Sequence, residues 1–332
     1  MSDLKKILIN KNLTCKSIWF MRQAGRYLPE FQDIRSKNPN FINLCFNSEL
    51  CCEITLQPIK RFDLDSAIIF SDILLIPHVL GQKVKFIPNK GPNLNKFELE
   101  KFLNNKRKNF TEKLFPVYDA IRKTRKKLKK NKALIAFIGA PWTLITYMLG
   151  VKKNELKSLK DKKAVINKIT EPLIDYLCTH IKNQVNAGAD VIQIFDSWAG
   201  LLENSDLPDL CYEPNSKIVS YCKKNQIPTI CFPKGIGKNY KDFNEKVRPD
   251  GLNLDYDLDP NWAKENLNDV VLQGGMHPEI LFKSDEEIYK EAKKYLDIFK
   301  DVPYIFNLGH GILPETNPEK LDKLIKFVRK QK

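Results

Sequence analysis

The sequence predicts an α/β fold built on parallel strands, with an eight-stranded (β/α)8 barrel favoured. Three observations carry this expectation. Short apolar runs of four to six residues recur along the 332-residue chain. The segments between them show amphipathic helical periodicity, the rhythm of βα crossovers. No repeat, low-complexity linker or composition break divides the chain, so one domain over residues 1–332 is expected, as for most barrels of this length. An open doubly wound sheet is the alternative, because it shares the same alternation.

Taken in order, Ser17–Met21 is the candidate for an eighth strand. It runs into Trp19–Tyr27, WFMRQAGRY, where Gly25 argues against a regular helix and Pro29 ends whatever precedes it. A shaped loop is expected there. Asn47–Arg61 reads as a helix with Leu50, Ile54 and Ile59 inward, disturbed near its end by Pro58. Ala67–Phe70 is a strand that stops at Ser71-Asp72. Lys83–Pro92 is an extended excursion with Gly91-Pro92 as its turn, and Lys113–Lys130 is a basic amphipathic helix. Ala133–Ile138 is the next strand, with Tyr147 expected on the first turns of the helix after it. Pro172 opens a helix that carries Leu173, Leu177, Ile181 and Val185 on one face and closes at Gly188. Val191–Phe195 is a strand ending in Asp196-Ser197-Trp198. Pro228–Phe232, Gly251–Asp255, Val270–Gln273 and Tyr304–Leu308 complete the strands. Ser284 and Glu287 form a capping box for one late helix, and Asn317-Pro318 opens the last.

Formal net charge is +15, nearly all of it from lysine. Lys123–Lys132 and Lys152–Lys163 read as solvated helix faces and connections. No basic stripe is interleaved with aromatics, so nucleic-acid binding is not expected. The charge suits an anionic substrate instead. The eight cysteines, Cys15, Cys45, Cys51, Cys52, Cys178, Cys211, Cys222 and Cys231, show no CxxC pair. They are expected as reduced thiols in a reducing compartment. Met1–Asn10 has lysines but no long apolar run, and nothing resembles a secretory signal or membrane span, so a cytoplasmic location is expected.

Three of the nine arginines, Arg22, Arg26 and Arg35, fall in one short segment. Guanidinium groups suit paired hydrogen bonds to carboxylate or phosphate. In parallel α/β folds ligands bind at the carboxyl ends of strands. Asp72, Tyr147, Ser197 and His310 all follow predicted strands and should share one face. Asp72 and Ser197 could equally be helix N-caps, and Tyr147 could pack in a helix interface. His310, between Gly309 and Gly311, sits where the backbone can approach something closely. His78, His180 and His277 read as structural.

The order and spacing of Trp19–Phe31, Ala67–Gly81 (AIIFSDILLIPHVLG), Gly139–Met148 (GAPWTLITYM), Gln193–Gly200 (QIFDSWAG) and Asn307–Pro318 (NLGHGILPETNP) resemble the uroporphyrinogen decarboxylase family. The resemblance covers nearly the whole chain. It implies a (β/α)8 barrel, a homodimer, and removal of the four acetate carboxyls of uroporphyrinogen III to give coproporphyrinogen III in haem biosynthesis. No cofactor or metal is implied. The family's binding arginines fall on Arg22, Arg26 and Arg35 and its central aspartate on Asp72. Its site tyrosine, phenylalanine, serine and histidine fall on Tyr147, Phe195, Ser197 and His310. Of these, Asp72, Arg22, Tyr147 and His310 are the expected catalytic set, with Asp72 stabilising a protonated pyrrole. The proton donor is left open. Tyr256 stands where the family often has tryptophan, and His277 where it usually has aspartate.

Two other readings compete. Zinc-dependent methyltransferases acting on corrinoids or thiols share the superfamily resemblance and carry a His-x-Cys motif with a later cysteine. Here the triplet is Thr229-Ile230-Cys231 and no cysteine follows, so that ligand set cannot be assembled. A basic, non-enzymatic binding protein would explain the charge but not the polar groups at the strand ends.

Overall fold

The computed structural model describes residues 1–13, 17–87, 91–151 and 159–331. Cys15 and residues 152–158 of the lysine-rich stretch lie outside the described residues. The strands are β1 (Ser17–Ile18), β2 (Ser66–Ile68), β3 (Val84–Ile87), β4 (Gly91–Leu94), β5 (Ala133–Gly139), β6 (Val191–Asp196), β7 (Thr229–Pro233), β8 (Gly251–Leu254), β9 (Val271–Gly274) and β10 (Tyr304–Phe306). Eight of them form one parallel sheet in the order β1-β10-β9-β8-β7-β6-β5-β2. This is a nearly closed barrel flanked by helices, and the open-sheet alternative is set aside. β3 and β4 form a separate antiparallel hairpin.

The strands read as continuous apolar runs because both their faces are buried. In β5, Ala133 and Ile135 face the barrel interior, while Leu134, Ala136 and Ile138 pack under the helices. That alternation is the period of two that pleating imposes. The helix Asp3–Asn10 plugs the amino end of the barrel with Leu4, Ile7 and Leu8.

The seam between β1 and β2 is closed differently from the rest. It carries a backbone hydrogen bond from Asp65 N–H to the Ile18 carbonyl (2.9 Å). The Asp65 carboxylate accepts the Ile18 N–H (2.7 Å) and is paired with Arg329 of the last helix (2.8 Å). The buried Gln23 carboxamide donates to the Ser66 carbonyl (2.8 Å). Side chains therefore do much of the work that strand pairing does elsewhere in the barrel.

Several expectations are refined. The eighth strand is Ser17–Ile18 only, because the chain leaves the sheet for the turn around Arg22. The helix around Pro172 spans Leu159–Asn186, so Pro172 lies inside it and does not open it. Buried Ile166 and Ile169 before the proline, and Leu173 and Leu177 after it, hold both halves to the core. That burial tolerates the one missing backbone bond. Gly91 and Pro92 do not turn the hairpin. They begin β4 and pair with Ile87 and Phe86, and the connection falls in residues 88–90, outside the described residues. The basic helix is Phe115–Lys127, and Tyr147 sits near the end of the helix Pro141–Met148 rather than in its first turns. Asn47 caps the helix Ser48–Arg61, Ser284 and Glu287 form the complete capping box, and Asn317 caps the last helix.

Candidate active site

The carboxyl ends of the barrel strands surround a cavity with about 940 Å³ of empty space, part of it open to solvent. Arg22, Arg26, Asp72, Phe195, Ser197 and His310 all line it. The sequence reading thus brings six of its eight site residues to one place.

Arg22 is held by a turn with unusual backbone. Its φ is 62°, in the left-handed region that costs a non-glycine residue roughly 1–2 kcal/mol. The surrounding bonds fix that conformation. Met21 N–H donates to Asn307 Oδ1 (3.1 Å), and Ile312 N–H donates to the Met21 carbonyl (2.9 Å). Gln23 Oε1 accepts the Phe20 N–H (2.9 Å). Gly311 lies flush against the arginine stem, where an added Cβ would come within 2.5 Å of Arg22 Cδ. The loop after β10 therefore shapes the path of the guanidinium. The side chain is accessible through the cavity, yet protein surrounds it on most sides. Burial and the neighbouring Arg26 lower its basicity, opposed by Asp72 and Tyr147.

Asp72 follows β2. Its Oδ1 accepts the Leu74 N–H (2.8 Å), an Asx turn, and the helix that follows, Leu75–Val79, has Leu74 at its N-cap position and no side-chain cap. Neither Asp72 nor Ser197 is a helix cap. Burial pushes the Asp72 carboxyl up to about 6, against the pull of the Leu74 N–H, Arg22 and Arg26. Phe31, Phe41, Phe70 and Phe137 line the same cavity and make its wall largely apolar.

His310 is half-buried, with its Nδ1 unpaired and its ring 6.2 Å from that of Phe232. Burial and the positive charges of Arg22, Lys234 and Arg26 lower its pKa to about 4. It is a neutral imidazole at pH 7, able to hydrogen-bond but not holding a proton ready for transfer.

Two expected residues do not line the cavity. Arg35 donates to the Asn38 carbonyl (2.5 Å) and lies 5.8 Å from the centre of the Phe41 ring, which lines the cavity while Arg35 does not. Tyr147 packs edge-on against Trp198 at 5.8 Å and lines a neighbouring groove. Its hydroxyl still feels the charges of Asp72 and Arg22, and burial keeps it protonated.

The sequence reading missed two features. The phenylalanine wall has no polar signal to mark it. Asp196, at the end of β6, is 1 % exposed and accepts from Thr143 Oγ1 (2.7 Å), Asn215 Nδ2 (3.0 Å) and Cys211 Sγ (3.3 Å). It ties three segments together directly behind Ser197. The remaining histidines behave as expected. Buried His180 contacts the Tyr118 hydroxyl (3.0 Å) and is driven down to about 3 by burial. His78 packs against Phe46. His277 Nδ1 accepts the Glu279 N–H (3.1 Å) and its ring meets Tyr256 at 4.2 Å, so the two departures from the family pattern touch each other. Cys231 is buried in β7 against the helix layer, and among the described residues no cluster of three or more His, Cys, Asp or Glu is placed to hold a metal. No helix among the described residues is long and apolar enough to cross a membrane.

The family model described as uroporphyrinogen decarboxylase (URO-D) matches residues 2–331. The chain belongs to the uroporphyrinogen decarboxylase family. Uroporphyrinogen decarboxylases of Rickettsia felis and Orientia tsutsugamushi are each 41 % identical to it, covering 98 % and 99 % of this chain and 97 % and 98 % of their own. That of the Wolbachia of Brugia malayi is also 41 % identical, with 99 % of both chains covered. The chain is therefore an enzyme of the uroporphyrinogen decarboxylase family. A methyltransferase from Methanosarcina mazei shares the barrel, with a TM-score of 0.75 over 99 % of this chain and 98 % of that one. At 18 % identity that likeness concerns the fold alone, and the methyltransferase reading is not favoured.

Proposed function

We propose that this enzyme decarboxylates the four acetate side chains of uroporphyrinogen III to give coproporphyrinogen III, with Asp72 balancing the cation formed on each pyrrole. The observation that supports this most is one carboxylate, Asp72, set in an aromatic wall beside Arg22 and Arg26. Each step replaces an acetate carboxylate with a proton and releases carbon dioxide. The electrons of the broken C–C bond need a sink, and protonation of the pyrrole ring supplies one. A fixed carboxylate at the pyrrole N–H groups stabilises that cation without reorganising. Arg22 and Arg26 bind side-chain carboxylates, Ser197 and neutral His310 hydrogen-bond to them, and Phe195 packs on the macrocycle. Arg35 supports Phe41, and Tyr147 acts on Asp72 and Arg22 through its dipole. The whole chain acts as one domain, as a cytoplasmic homodimer, without metal or organic cofactor. A strict monomer in light scattering at micromolar concentration would remove the dimer. Anaerobic incubation with uroporphyrinogen III and separation of products tests the activity; unchanged substrate would sink it.

Two expected results follow from the geometry. Arg26→Ala should raise KM by roughly 10- to 100-fold, the loss of one charged hydrogen-bond partner. Arg35→Ala should move KM by only a few-fold, because Arg35 does not line the cavity; equal effects would contradict the placement. The pH profile of kcat/KM should show an acid limb near 6, where free-enzyme Asp72 loses its charge. A flat profile down to pH 5 would show that the charge of Asp72 is not needed.

A further inference from the structure

Arg22 and Arg26 stand at one side of the barrel mouth, after β1. A cyclic substrate with eight carboxylates presents charge around its whole rim, so the opposite side of the mouth calls for a cation of its own. Going round the sheet, β7 is four strands from β1 through β10 and three from β2 through β5, which is the far side of an eight-stranded barrel. Lys234 follows β7 there.

We propose that Lys234 is a third carboxylate-binding cation of this site, holding a side chain of the macrocycle opposite Arg22 and Arg26. This rests on the reading of the cavity as a uroporphyrinogen site. Lys234 is firmly seated, since its N–H is shared between the Asp196 carbonyl (3.1 Å) and the Phe232 carbonyl (3.0 Å). Phe232, two residues earlier, faces the barrel interior and meets the His310 ring. Lys234 Nζ lies 5.5 Å from the centre of the Tyr256 ring, a cation–π contact that holds the ammonium without neutralising it, at the edge of the cavity rather than in its wall. Among the described residues Nζ has no hydrogen-bond acceptor and no ion-pair partner, although the lysine is half-buried. The nearby carboxylate is Asp255, which feels the charge of Lys234 but makes no ion pair with it; its Oδ2 accepts the Gly235 N–H (2.8 Å) and its Oδ1 is buried without a hydrogen-bond partner. A half-buried cation with a carboxylate nearby but no close ion pair can still take a carboxylate that reaches it. The field of Lys234 also reaches into the site, where it joins Arg22 and Arg26 in depressing the basicity of His310. Three cations thus converge on one neutral histidine from both sides of the mouth.

The test compares Lys234→Met, Lys234→Gln and Lys234→Arg with the exposed control Lys238→Met, using uroporphyrinogen III under anaerobic steady-state conditions. Lys234→Met and Lys234→Gln should raise KM about 10-fold or more with kcat within about threefold of wild type, the pattern of lost uniform binding. Lys234→Arg should restore KM to within about twofold of wild type, because guanidinium binds carboxylate at least as well as ammonium. Lys238→Met should leave both constants unchanged. An unchanged KM in either neutral variant overturns the proposal. So does a fall in melting temperature with KM intact, which would mark Lys234 as a structural partner of Asp255. Wild-type protein that does not consume uroporphyrinogen would instead refute the reading on which the proposal rests.

Discussion

Asp72→Asn is expected to lower kcat by about 100-fold or more while making the protein more stable at neutral pH. The two effects have one source. Burial raises the carboxyl to about 6, so ionised Asp72 is held at a cost in the folded state. The sign follows from linkage. Below the unfolded value near 3.8 the group is protonated in both states and costs nothing. As pH rises from the unfolded value to the folded one, only the unfolded chain ionises, so stability falls across that window and the full cost is present above about 6. Asn removes that penalty, keeps the side-chain oxygen that accepts the Leu74 N–H, and should gain up to ~3 kcal/mol above pH 6. The gain should vanish toward pH 4. Melting curves and kcat on the same variant decide the matter. A folded Asp72→Asn protein with near wild-type kcat, or one less stable than wild type at pH 7, contradicts the assignment.

Arg22→Ala is expected to lower kcat/KM about 100-fold or more, through both binding and turnover. Gly311→Ala should reproduce most of that loss. Its new methyl group would meet the stem of Arg22 rather than its tip, at 2.5 Å from Cδ and 2.8 Å from Cγ, so the guanidinium must leave its place. Displacement of a catalytic group by about 1 Å can cost two orders of magnitude. The backbone of Gly311 has no positive φ to strain, so the melting temperature should change little. The double variant should be no worse than Arg22→Ala, since both changes remove the same interaction. Wild-type kinetics in Gly311→Ala would show that the loop after β10 does not guide Arg22.

How far the sequence was legible follows from what each residue signals. The strands were readable because burial on both faces leaves mainly apolar runs, unbroken in β5 and interrupted only by Gln193 in Val191–Phe195 of β6. Asp72, Ser197 and His310 were readable because they stand at the ends of those runs. The short β1 was not, since Trp19 and Met21 continue the apolar pattern after the backbone has left the sheet. The interior position of Pro172 was hidden because proline usually marks a start. Arg35 shares a segment with Arg22 and Arg26, and nothing in its spacing reveals that Phe41 lines the cavity while Arg35 does not. Lys234 carried no signal among so many surface lysines until the barrel placed it across from Arg22.

The seam between β1 and β2 has a mechanical consequence. Seven of the eight strand contacts are stiff ladders, while the eighth is a clasp made by Asp65 and Gln23. Arg22 hangs from one side of that clasp and Asp72 from the other. Greater compliance is therefore expected at that seam, between the two groups that the proposed function places on the substrate. Amide hydrogen exchange would register this as faster opening at Ile18 and Asp65 than along β5 and β6.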